Sequence, residues 1–349
     1  MKKDDELKKH RENIDKIDST IVQLLNERMQ EVLEIGKQKK DKNHDFYVPS
    51  RETDVYKRLI NENKGPLSKQ ALIAIFREVM SGALSLEKSL EIAYLGPEGT
   101  FTHQAAMNKF GESVVYYPVQ TINDIFDEVA KGRCDYGVVP IENSTEGAVT
   151  HTLDMFIDYS LKICSEITLP IHHNLAVCKK DIKIKKIYSH PQVFGQCRRW
   201  VQLHYPHADL IDTESTTVAA KKIKNIKNAA AIVSELAAVK YNLIILENAI
   251  EDITNNITRF LIIGKQDSFP TGDDKTSILF SLQDRVGILS DTIQPFKKYQ
   301  INLSKIESRP SKKKLWDYLF FVDLDGHAED EHVKNALKAK VNVVQYREK

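Results

Sequence analysis

From Leu7 onward, Leu7, His10, Ile14, Ile17, Ile21, Leu24, Arg28, Glu31 and Ile35 recur at alternating steps of three and four. That spacing predicts the seam of a packed helix over about residues 7–40, well beyond an average globular length. A polar loop follows, and Pro49 and Ser50 open a second helix at Arg51, with Ser50 as the expected N-cap. Gly65-Pro66 ends it. A third helix is expected over about 68–88, with Leu72, Ile75, Phe76, Val79, Ala83 and Leu86 as its apolar stripe. Three helices cannot bury one very long helix by themselves, so an oligomer is expected.

Beyond Glu91 the period changes. Short apolar runs at 92–95, 114–117, 136–141, 186–188, 230–233 and 243–246 predict strands. Helical patterns near 122–131, 191–204 and 217–226 separate most of them, which predicts an α/β region with a mostly parallel sheet, in one lobe or two. A polar stretch from Gly264 to Lys275, punctuated by Pro270 and Gly272, reads as a linker. The remainder predicts β-α-β-β-α-β over 276–282, 286–299, 302–307, 315–323, 329–340 and 341–346, the ferredoxin-like order. Pro295 inside its first helix predicts a kink. The expected domains are therefore 1–90, all-α; 91–266, α/β; and 274–349, α+β.

Composition narrows the function. A formal net charge of +1 recruits neither nucleic acid nor an anionic membrane. No apolar run is long enough to span a bilayer, and the lysines at the start precede no apolar core of a signal peptide. Cys134, Cys164, Cys178 and Cys197 form no CxxC pair and read as buried thiols of a reduced cytoplasm. None of the fourteen glycines lies two positions from another, which removes the GxG dinucleotide fingerprint. No cofactor and no metal is expected.

Arg28 and Glu31 interrupt an apolar seam, and burying charge without a partner is costly. Arg28 and Lys39 share a helix face about 16 Å apart, close enough for both to close on one small dianion. Arg11 lies about 25 Å from Arg28 along the same helix, so only a second, antiparallel copy brings the two to one ligand. A solvated helix with scattered bases fits the spacing as well. In the α/β region Gly96-Pro97-Glu98-Gly99-Thr100-Phe101 follows a strand and precedes a helix, a turn whose amides can bind an anion. Many α/β proteins have such a turn.

Residues 5–88 resemble the all-helical chorismate mutase family through Arg11, Arg28, Lys37, Lys39 and Arg51-Glu52. The resemblance implies that Arg11 from a partner chain, Arg28 and Arg51 hold carboxylates, Lys39 faces the ether oxygen of chorismate, and Glu52 the ring hydroxyl. Val48 stands where a well-known member has an aspartate, and Glu87 where it has a glutamine at the ether oxygen. Glu87 continues a buried stripe, or else is a solvated helix-end carboxylate beside Lys88.

About residues 92–264 resemble prephenate dehydratases. The strings are Gly96-Pro97 with Gly99-Thr100-Phe101, Pro140-Ile141-Glu142-Asn143-Ser144 with Glu146-Gly147, Ser189-His190-Pro191-Gln192, Ser215-Thr216 with Ala219, and Thr258-Arg259-Phe260. That implies a two-lobed fold like the periplasmic binding proteins, with substrate in the cleft. Thr258 is implied as hydroxyl donor, Arg259 near a carboxylate, and Thr100, Glu142, Asn143 and Ser144 as lining.

The last 75 or so residues resemble an ACT domain, the ferredoxin-like amino-acid sensor, through Val286-Gly287-Ile288-Leu289 and Ile301-Asn302-Leu303 leading to Glu307-Ser308-Arg309-Pro310. The family more often has Pro-Gly-Ala-Leu in the first string. The resemblance implies L-phenylalanine between paired domains at Gly287, Ile288, Leu289, Asn302, Glu307, Ser308 and Arg309. A small domain that only dimerises is the alternative. The reading that results is a bifunctional enzyme, homodimer or homotetramer, acting on chorismate and then prephenate. Against it stands a non-catalytic sensor with a helical dimerisation domain.

Overall fold

The structure is a computed structural model that describes residues 2–42, 47–282, 285–310, 318–339 and 343–348. The expected starts of the last two strands, at 315 and 341, lie outside the described residues. By contact the chain forms two compact units. One comprises Met1–Val48, Val55–Leu90 and Phe110–Val115, and the other comprises the remaining residues.

The first unit is built on α1 (Lys2–Lys42), most of α2 (Pro49–Glu62) and α3 (Lys69–Glu87). Ser68 caps α3 by accepting from the amide of Ala71. Ser50 does not cap α2; Val48 occupies that position and Pro49 the first helical one, where a missing N–H costs nothing. Ile14, Ile17, Ile21, Leu24 and Ile35 all remain exposed along α1, so one chain leaves its own seam bare. The 110–115 loop belongs here because Gly111, at φ +73°, lies against α3, where an added Cβ would come within 2.5 Å of Ser81.

The second unit holds three sheets. The first contains β1 (Glu91–Leu95), β2 (Val115–Val119), β3 (Tyr136–Asn143), β4 (Gly147–Ala148), β5 (Lys162–Pro170) and β11 (Ile257–Gly264), in the order β2-β1-β3-β11-β5 with β4 on β3. Its helices are α4 (Phe101–Phe110), α5 (Ile122–Ala130) and α6 (Thr150–Asp158). The second sheet contains β6 (Asn174–Val177), β7 (Lys186–Ser189), β8 (Asp209–Asp212), β9 (Ala229–Val233) and β10 (Ile244–Glu247), in the order β10-β6-β9-β7-β8. Around it lie α7 (Pro191–Gln196), α8 (Arg198–His204), α9 (Thr216–Ile223) and α10 (Glu235–Lys240). Ala230 and Ile232 face one core and Ala231 and Val233 another, so this sheet is covered on both sides.

The expected mostly parallel sheet is corrected. Both sheets are mixed: β1 is parallel to β3 and β7 to β8 and β9, whereas β11 is antiparallel to β3 and β5, and β6 to β9 and β10. The cause is the way the chain changes sheet. It leaves the first after β5 through 171–173 and returns through 248–256 to insert β11 in the middle. Two lobes joined by two crossing segments result. β4, β5, β6, β8 and β11 were not among the expected strands.

The third sheet, β13-β14-β12-β15, is formed by β12 (Lys275–Leu282), β13 (Leu303–Pro310), β14 (Tyr318–Asp325) and β15 (Val343–Glu348), with α11 (Ile288–Lys298) and α12 (Glu331–Lys338). This is the expected ferredoxin-like order. It does not stand apart from the first lobe: Leu279, Leu319 and Phe321 share a core with Ile141, Leu153, Phe156, Leu261 and Ile263.

Candidate active sites and effector region

β11 places Thr258 opposite Asn143 of β3, and the Asn143 amide donates to the Thr258 hydroxyl oxygen at 2.7 Å. The orientation of that amide is forced. Its oxygen accepts from the backbone amides of Thr145 (3.0 Å) and Glu146 (3.1 Å), so its nitrogen must face Thr258 and Asn256. A buried hydroxyl that accepts there keeps its own proton to give elsewhere.

The two crossing segments meet behind this pair. Asn256 accepts from Asn143 at 2.7 Å and donates to Gln196 at the end of α7 at 3.4 Å. Gln196 bonds His173 at 2.7 Å and donates to Glu146 at 3.2 Å, linking the lobes. His173 is 1% exposed, and burial lowers its pKa. Next to it, burial alone would raise the Glu251 carboxyl. Hydrogen bonds from His172 and from the His173 amide outweigh that and hold it below the usual carboxylate range.

Other expected lining residues are engaged elsewhere. The Thr100 hydroxyl donates to the Leu95 carbonyl (2.8 Å) and accepts from the His103 amide (3.3 Å), so it caps α4. Ser144 clamps the returning segment, donating to the Asn255 carbonyl and accepting from the Ile257 amide. Arg259 and Glu142 depart furthest from expectation. Arg259 pairs with Asp323 of β14 at 2.7 Å, and Glu142 with Lys305 of β13 at 3.1 Å. Both therefore face the third sheet and are not beside Thr258, because successive residues of a strand point to opposite faces.

In the helical unit, Lys39 Nζ lies 2.8 Å from Glu87 Oε2, and both side chains are largely buried. Glu87 is thus the buried partner and not a solvated helix end. Arg28 is half-buried and Arg11 exposed on the same unbroken helix, so one chain does not bring them together. Arg51 is exposed, and Glu52 pairs with Lys109 of α4 at 2.9 Å.

In the third sheet Gly287, at φ +80°, starts α11 with Ile288 and Leu289 half-buried behind it. Asn302 donates to Asp325 at 2.9 Å, and Glu307 and Ser308 lie on β13. Arg309 reaches Asp154 of α6 at 2.9 Å and the Thr150 carbonyl.

Comparison with known proteins accords with this geometry. Residues 10–88 match chorismate mutase type II, 92–268 prephenate dehydratase and 276–342 the ACT domain. A bifunctional chorismate mutase/prephenate dehydratase of Aquifex aeolicus is 48% identical over 339 residues, 96% of this chain and 94% of that one. The protein of the same description from Stutzerimonas stutzeri is 45% identical over 97% of this chain and 94% of its own length. The chain belongs to the bifunctional chorismate mutase/prephenate dehydratase family. Among solved structures, a prephenate dehydratase from Arthrobacter aurescens in complex with L-Phe is 34% identical, with a TM-score of 0.68 over 74% of this chain and 90% of that one.

Family membership sets aside the reading of a non-catalytic sensor. It also gives context to residues that sequence reasoning missed. His173, Gln196, Asn256 and Glu251 come from segments up to about 80 residues apart and meet only because the chain crosses twice between lobes. The adjacent His172-His173 pair stands in the sequence, but nothing in its spacing ties it to Gln196. The displacement of Arg259 and Glu142 follows from the strands of the structure, where each is the immediate neighbour of a residue on the other face; the predicted strands cover neither residue.

Proposed function

We propose that the helical segment rearranges chorismate to prephenate and the α/β segment converts prephenate to phenylpyruvate, carbon dioxide and water. The observation that carries the second half is the hydrogen bond from Asn143 into Thr258. In the dehydration, the C–COO⁻ bond electrons enter the ring as the C–OH bond breaks. The departing hydroxide must take up a proton to leave as water. A hydroxyl held as acceptor by Asn143 directs its proton toward that leaving group, as donor or as relay, and its oxygen takes a proton back from water once the products have left. Burial of Thr258 and the lobe-to-lobe bonds of Gln196 help to keep solvent water from the reacting centre.

For the rearrangement, which needs a compact conformer and charge stabilisation at the breaking ether bond, Lys39 and Glu87 are assigned to the ether oxygen. Their close contact supports that pairing. Arg28, Arg51 and the partner chain's Arg11 are assigned to the carboxylates, and Glu52 to the ring hydroxyl. The bare seam of α1 supports a homodimer, with a homotetramer as the further possibility. L-Phenylalanine is the assigned effector at Gly287, Ile288, Leu289, Asn302, Glu307, Ser308 and Arg309, and the solved relative with L-Phe supports it. A cytoplasmic setting accords with four free cysteines. Incubating the full chain with chorismate tests the whole: prephenate should appear first and phenylpyruvate after it. Persistence of chorismate, or accumulation of prephenate alone, would remove the corresponding activity.

A further inference from the structure

Two cross-strand ladders of opposite charge face one another across the junction of the first and third sheets. On the first, Glu142 of β3 pairs in register with Arg259 of β11. On the third, Ser277 of β12, Asp323 of β14 and Lys305 of β13 are in register. Arg259 meets Asp323 at 2.7 Å and Lys305 meets Glu142 at 3.1 Å, so positive opposes negative at both positions. Ser277 donates to the other carboxylate oxygen of Asp323 at 2.6 Å, which fixes the carboxylate from behind. Beside these pairs the two sheets leave a cavity of about 40 Å³ lined by Leu153, Phe156, Leu261 and Phe321, so close packing does not hold Arg259 from that side.

Arg259 is the residue after Thr258, and the pairing of β11 with β3 slips between Arg259 and Phe260. Such an irregularity re-aims the adjoining side chains and loosens the strand on its β3 side alone, since its pairing with β5 is regular from Ile257 to Ile262. That pairing holds the backbone of β11 there, and the Arg259 guanidinium adds ion pairs with Glu142, Glu166 and Asp323, the shortest with Asp323.

We propose that Asp323 is a positioning residue for the dehydration: through Arg259 it sets where β11 presents the Thr258 hydroxyl. Asp323 lies in the ACT-like sheet and touches neither Thr258 nor Asn143. It therefore acts on the orientation of the proton donor and not on substrate binding. Any change in that sheet that shifts β14 reaches the cleft by this route. The inference rests on the reading of Thr258 as hydroxyl donor, so Thr258→Val is measured first in the same assay.

The test uses full-length Asp323→Asn, which keeps the shape and removes the charge. Dehydratase kcat should fall on the order of tenfold or more, the scale of a sub-ångström to ångström misplacement, with KM within about twofold. Chorismate mutase activity should be unchanged and reports that the helical unit is folded, while circular dichroism and a cooperative urea transition of the full chain report on the second unit. Asp323→Glu, which restores the charge, should recover part of the lost kcat. If Asp323→Asn does not fold, Ser277→Ala carries the test and should lower kcat by about two- to fivefold at constant KM. Wild-type kcat in Asp323→Asn, or in Ser277→Ala where the first is misfolded, overturns the proposal. So does a loss that appears wholly in KM. Normal dehydration by Thr258→Val would instead sink the underlying reading of the donor.

Discussion

Replacing Thr258 with valine keeps the shape of the side chain and deletes one oxygen. Two consequences can be sized separately. The Asn143 amide nitrogen loses one of its two acceptors and keeps only Asn256, at 2.7 Å. A buried donor left unpaired costs about 1–3 kcal/mol, a modest lowering of stability. The rate is hit harder. On the proposed mechanism Thr258 carries the proton, and loss of one positioned proton donor lowers turnover at least about a hundredfold. That corresponds to roughly 2.7 kcal/mol of barrier. Phenylpyruvate formation from prephenate reads the dehydratase, and chorismate consumption by the same sample reads the mutase, which should stay near wild type. Thr258→Ser keeps the hydroxyl and should retain much of the activity, separating chemistry from packing. Dehydration by Thr258→Val within a few-fold of wild type would remove this residue from the mechanism, whatever happened to stability.

Three further outcomes follow from the geometry. Arg11→Ala and Arg28→Ala should each nearly abolish mutase activity. Unfolding, mixing and refolding the two inactive proteins should restore about a quarter of the sites, since half the dimers are mixed and each mixed dimer has one intact site. No recovery would place the whole site in one chain. Gly287→Val puts a β-branched residue at φ +80°, where it is strained. Calorimetry should show weaker L-phenylalanine binding while both activities persist, and unchanged binding would move the effector elsewhere. Finally, burial first and nearby Lys240 second push the His103 pKa down to about 4, against the opposing pull of Glu98. Its Nδ1 accepts from the Gly99 amide at 3.1 Å, which a proton there would prevent. The unfolded chain then binds the proton first, so this contribution to stability is present above about pH 6.5 and is lost as pH falls toward 4. Roughly 2 kcal/mol should disappear between pH 7 and pH 5. Urea denaturation of the wild type beside His103→Gln checks this, and identical pH slopes for the two would refute it.

Much of the architecture is written locally. The step of three and four along α1 needs only the helical period. The order β-α-β-β-α-β needs only the alternation of short apolar runs with amphipathic ones. Motifs such as Thr258-Arg259-Phe260 and Glu142-Asn143 are contiguous and so visible as strings, although the apolar runs predict only the β3 strand of the two and not β11. The sequence by itself also marked Lys39 and Glu87 as candidates for one site, and Arg11 and Arg28 as too far apart on one helix to share a ligand. The helical rise alone settles that distance.

What the tertiary structure decided was which face each residue serves and who its distant partner is. A motif read as a string assigns Thr258 and Arg259 to one site. The pleat sends them apart, Thr258 to Asn143 and Arg259 to Asp323, 64 residues further along the chain. Likewise nothing near Gln196 announces His173 or Asn256, because those contacts exist only where the chain crosses twice between lobes. Local pattern reports the backbone period and which positions are apolar. It does not report how two sheets are laid against each other, and it is that docking, with its opposed charges and shared core, that pairs Arg259 with Asp323 and Glu142 with Lys305.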